Sequence, residues 1–139
     1  MAGLDRFLTA QDAVYESALT ELARGRKEGH WMWFVFPQLA SLGRSATARH
    51  YGIADLAEAR AYAAHPLLGA RLAACADALL AQPDRDPVRI LGAVDALKLR
   101  SSATLFRAAA EEPLRGRMQA LLDRFYGGAP CPPTLAAIG

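Results

Sequence analysis

Two blocks of this sequence carry the side chains that could do chemistry. The first is His30-Trp31-Met32-Trp33-Phe34-Val35-Phe36-Pro37-Gln38, which holds both tryptophans and two of the five phenylalanines. Large aromatics bury more area than other side chains, and an indole N–H wants an acceptor, so the block reads as the wall of a pocket. Trp31, Trp33 and Phe36 are candidates to stack a flat ring, with Gln38 reading its edge. His30 could act as a general acid or base near neutral pH.

The second block is Asp95-x-x-Lys98-x-x-Ser101-Ser102. At about 100° per residue of helix, Asp95, Lys98 and Ser102 fall within roughly 60° of one another, on the face that also carries Leu99 and Phe106. A polar triad on an apolar face is either buried and paired or turned to a pocket. In a pocket, Lys98, Ser101 and Ser102 could hold a phosphate or carboxylate, while Asp95 stabilises positive charge or directs water. The structural alternative is an Asp95–Lys98 salt bridge with Ser102 bonded into its own turn. His30, too, could be no more than a satisfied structural group.

Other chemistries lack their residues. No H-x-x-H, H-E-x-x-H or Cys/His cluster is present, so no metal is expected, and no phosphate loop or cofactor motif appears. Cys75 and Cys131 lie far apart, as in a reducing compartment, with Cys75 suited to a core. Sixteen basic against fourteen acidic residues give +2, which argues for neither nucleic acid nor membrane as a partner. Nothing approaches a leader or an 18-residue apolar run, so a cytoplasmic protein is expected, either a monomer or a small homo-oligomer.

Helices must position these blocks. An apolar stripe from Leu4 to Leu22 predicts a helix over about 4–24. Residues 31–36 have strand-like composition but no partner strand, which predicts a buried short helix or turn ending before Pro37. Ser45 can cap 46–51, and Asp55 with Glu58 can open 56–64. His65-Pro66 starts 66–82 and Asp86-Pro87 starts 87–91. Helices over 94–110 and 113–126 follow, the latter stopped by Gly127-Gly128, and a short turn follows the Pro-rich segment 130–133. The expectation is an all-α, compact multihelical fold of about seven helices, with residues 1–139 as one domain.

These residues also carry a resemblance. Ala10-Gln11, Tyr15, Gly25-x-Lys27, His30 to Gln38, Tyr62, His65-Pro66, Leu68-Gly69, the Asp95-x-x-Lys98-x-x-Ser101-Ser102 block and Phe125-x-Gly127-Gly128 are similar to the bacterial domain of unknown function family 1810. The resemblance covers essentially the whole chain and implies a mainly helical single domain. It implies no reaction, and the calpastatin label some members carry does not suit this composition. Ala103 stands where the family usually has Met, and the turn after Gly128 lacks the usual Asp.

Two functional expectations follow. The first is an aromatic pocket with His30, Asp95 and Lys98 as catalytic groups, binding a small nucleotide-like or anionic ligand and able to hydrolyse it. The second is a non-enzymatic protein- or nucleic-acid-interaction module, in which Arg24, Arg26 and Lys27 work with the aromatics.

Overall fold

The computed structural model describes residues 3–138 and is all-α, as the periodicity predicts. Helix α1 spans Asp5–Ala23, α2 Met32–Val35, α3 Ala46–His50, α4 Leu56–Ala64 and α5 Pro66–Leu80. Helices α6 (Pro87–Leu91), α7 (Ala93–Ala109), α8 (Leu114–Tyr126) and α9 (Pro132–Ile138) complete the chain. The nine helices among the described residues exceed the expected seven through two short elements, which the sequence reads as a short helix or turn in one case and as a turn in the other. One is the four-residue α2; the other is α9 at the tail.

Local chemistry starts these helices where the sequence places them. Ser45 Oγ accepts from Ala48 N, and Asp55 accepts from Glu58 N. His65 Nδ1 accepts from both Leu67 N and Leu68 N, and Asp86 accepts from Val88 N. Each cap satisfies donors that a first helical turn leaves unpaired. His65 is thereby a capping group.

Helix α7 is the axis of the fold, packed by α4, α6, α8 and α9, while α1 packs on α5 and α2. Its run from Ser101 to Phe106 is buried on every side. Its first two turns reach the surface, as do Arg107 to Ala109 at its far end.

The aromatic segment does not form a strand. Its hold on the rest of the chain is a parallel bridge between Leu39 and Ile53, with Ala40 N donating to Ile53 O and Ile53 N to Gln38 O, both at 2.8 Å. Gly52 makes that approach possible, since a Cβ there would sit 2.3 Å from Ala40 Cα. On the other side, Gln11 is buried within α1 and donates to Phe34 O at 2.6 Å and to the Tyr62 hydroxyl at 2.9 Å. A buried amide placed this way satisfies a carbonyl that the four-residue α2 cannot.

Candidate functional site

Helix α7 turns two different faces to its surroundings. Asp95, Leu99, Ser102 and Phe106 share one face, as the helical spacing requires, and its lower part lies in the core. Ser102 is fully buried there, and its Oγ has no hydrogen-bond partner. Roughly a third of a turn around the helix, Val94, Leu97, Lys98 and Ser101 face a cleft instead.

That cleft has a volume of about 690 Å³ and lies between α7, the segment leading into α3, and the start of α9. Leu42, Val94, Leu97, Pro132 and Pro133 supply apolar walls. Gln38, Arg44, Lys98, Arg100 and Ser101 supply polar groups, and Cys131 is also in the wall. Among the described residues the lining includes three cations and no carboxylate. A mostly apolar cavity with a few convergent polar groups is the usual form of a small-molecule site.

The wall contributed by the tail is held by α7. Arg100 donates from Nε to Ala129 O at 3.0 Å and from Nη2 to Pro130 O at 2.9 Å. The Ser101 and Thr134 hydroxyls share a buried hydrogen bond of 2.8 Å, and Cys131 N donates to Thr104 Oγ1 at 2.9 Å. These bonds fix Cys131 to Pro133 opposite Lys98.

Behind the cleft runs a line of alternating charge. Lys98 Nζ lies 3.5 Å from Asp95 Oδ1 and 4.9 Å from the centroid of the Trp33 ring. Asp95 Oδ2 pairs more closely with Lys27 Nζ, at 2.8 Å, and the Lys27 side chain is only 8% exposed. Lys27 Nζ also stands 5.1 Å over the Trp31 ring. Glu21 closes the line, its Oε1 accepting from Glu28 N at 2.7 Å, Gly29 N at 2.8 Å and Trp31 Nε1 at 3.0 Å. Burial opposes ionisation of Glu21. The donors from Gly29, Glu28 and Trp31, with the Lys27 charge, outweigh it and hold the carboxyl below the usual glutamate range.

The structure separates the residues that the sequence groups together. Gln38, Lys98 and Ser101 line one cleft, and half-buried Trp33 touches it through Lys98. Trp31 and Phe36 are 2% and 1% exposed and pack in the hydrophobic core, so neither offers a face for a ligand ring to stack on. His30 lies exposed in the bend before α2 and does not line the cleft. Asp95 is bound between two ammonium groups, and Ser102 faces the core. A second cavity, of about 650 Å³ beside His65 and Pro66, has a largely alanine floor and contains none of these residues.

Three contributors escape the sequence reading in this role. Lys27 stands there only as one of three basic residues in the interaction-module reading and as a family-like feature after Gly25, not as a partner of Asp95. Glu21 and Arg44 carry no local signal at all, because what brings them to the site is chain reversal. Among the described residues, no group of three or more His, Cys, Asp and Glu could hold a metal ion, and no helix is long and apolar enough to cross a membrane.

Comparison with known proteins places this geometry in context. The family model described as protein of unknown function (DUF1810) matches residues 1–138. The crystal structure of the conserved hypothetical protein Rv1873 from Mycobacterium tuberculosis superposes with a TM-score of 0.93 at 47% identity, covering 97% of this chain and 95% of that one. No curated protein matches the chain.

Proposed function

We propose, for a chain that belongs to the DUF1810 family of proteins of unknown function, that the cleft beside α7 binds a small anionic, nucleotide-like ligand. The observation that carries this reading is the lining itself. Arg44, Lys98 and Arg100 line an apolar cavity whose wall includes no carboxylate among the described residues. Cations against low-dielectric walls favour an anion more than the same charges would in open water. Gln38 adds an amide that can read a ring edge or a hydroxyl. The reading is one of binding. Asp95 and His30 lie outside the cleft, so hydrolysis draws no support from them.

Isothermal titration with AMP and with GMP, followed in parallel by Trp33 emission in a Trp31→Phe background, tests this. Binding is expected, weakened about tenfold by Arg44→Ala or Lys98→Gln, the usual scale for losing one charge-assisted contact. No heat and no emission change with either compound at millimolar concentration overturns it.

A second reading, a protein-interaction module, draws on Val94 and Leu97, which are 66% and 68% exposed at the lip of the cleft. A partner protein covering them would bind regardless of Arg44 and with little dependence on salt, whereas a nucleic acid would lose affinity steeply as salt rises.

A further inference from the structure

The cationic groups of the cleft are not equally free. Arg100 directs two of its donors at Ala129 O and Pro130 O, so its guanidinium serves first to hold the turn that forms the wall. Lys98 shares its charge with Asp95 at 3.5 Å and lies against the Trp33 ring. Arg44 is exposed and has no ion pair among the described residues. What faces the cleft is therefore one unpaired guanidinium, one ammonium shared with a carboxylate, and the remainder of a second guanidinium.

The apolar side of the cleft is more generous. Val94 and Leu97 stand about one helical turn apart on α7 and are the two most exposed large hydrophobic residues among the described residues. Leu42, Pro132 and Pro133 complete the apolar walls. A ligand body laid there covers Val94 and Leu97 and gains the free energy of removing their apolar surface from water.

Resting on the anion-site reading above, we infer that the cleft takes an apolar-bodied acid carrying a single phosphate or carboxylate, and does not take a polyphosphate. Such a head matches the one free guanidinium and the partly free ammonium. A triphosphate would leave charges without partners in an apolar cavity, which is costly. The apolar body, and not further charge, supplies the rest of the affinity.

Competition titration of the intact chain with 1-naphthyl phosphate, 1-naphthoate, AMP, ATP and inorganic phosphate reads this directly. The expected order places 1-naphthyl phosphate about tenfold or more ahead of both inorganic phosphate and ATP. A Leu97→Ser variant is expected to lose that advantage while keeping its weak affinity for inorganic phosphate. Leu97 is exposed, so the substitution leaves the fold intact. The naphthoate and phosphate arms distinguish the two acid heads. If ATP binds as tightly as 1-naphthyl phosphate or more so, the single-acid inference falls while the anion site stands. If none of the probes binds at millimolar concentration, both fall together.

Discussion

Lys27 and Asp95 join the loop after α1 to the start of α7 by an ion pair, with Nζ 2.8 Å from Oδ2. The same loop is pinned by its backbone, since Lys27 N donates to Ile90 O at 2.8 Å. Together these two bonds keep Asp95 turned toward Lys27 and at a longer 3.5 Å from Lys98. Lys98 owes its partial freedom to a residue far away in sequence.

Replacing Lys27 with Met removes that competition. Asp95 then closes on Lys98 and anion binding weakens severalfold, while Lys27→Arg restores it. Stability falls as well, by roughly 1–3 kcal/mol, the range for leaving a partly buried charged group short of a hydrogen bond. Urea unfolding together with AMP titration separates the two effects. Unchanged binding in Lys27→Met, with binding intact in the wild type, would refute the positioning role.

Ser102 gives the opposite expectation. Its Oγ is buried and unpartnered, so Ser102→Ala removes an unsatisfied polar atom and is expected to leave stability unchanged or raise it by about 1 kcal/mol. Ligand affinity should not move, because the side chain faces away from the cleft. A loss of binding in this variant would show that Ser102 reaches the ligand after all.

The acid limb of stability should depend on Glu21. Its carboxyl is held below the usual range in the folded chain, so its contribution is present above the ordinary glutamate value of 4.5 and is lost as pH falls below it. Glu21→Gln is expected to cost about 1 kcal/mol at pH 7, a figure kept small because the group is partly exposed and solvent screens it. The difference from wild type should shrink steadily below pH 4.5. A constant difference across that window in chemical denaturation would show that the Glu21 charge is not what matters.

The two thiols should behave differently toward iodoacetamide. Burial pushes the Cys75 thiol up to about 12, with Arg71 pulling weakly the other way, so it should react only on unfolding. Cys131 is partly exposed in the cleft wall and should label in the native state. Peptide mass spectrometry reads both sites. A ligand in the cleft should slow Cys131 labelling and leave Cys75 untouched; acceleration or no change at Cys131 would place the ligand elsewhere.

Much of this fold was legible in the sequence because its signals are local. The caps at Ser45, Asp55, His65 and Asp86 each act on donors two or three residues away, and the breaks after them follow from Pro and Gly. The site was less legible for two reasons. Helical spacing correctly groups Asp95 with Ser102, but nothing in that spacing says which side of the helix the core will take. The core took Ser102, and the cleft took Ser101 and Leu97. Composition also marks Trp31 and Phe36 as special, yet the same aromatic richness serves a wall of a pocket and a wall of a core equally well. Only their near-complete burial in the hydrophobic core decides between the two.

The cleft is assembled from residues between Gln38 and Pro133, and its last wall is held by the Ser101–Thr134 hydroxyl pair and the Arg100 clamp. A ligand that bridges α7 and that wall must therefore also act as a fastener for the tail. By linkage, occupancy stabilises the docked α9 over the detached one by RT ln(1 + [L]/Kd). Hydrogen exchange along Pro132–Ile138 would then slow as the cleft fills, which makes the far end of the chain a gauge of what sits beside Lys98.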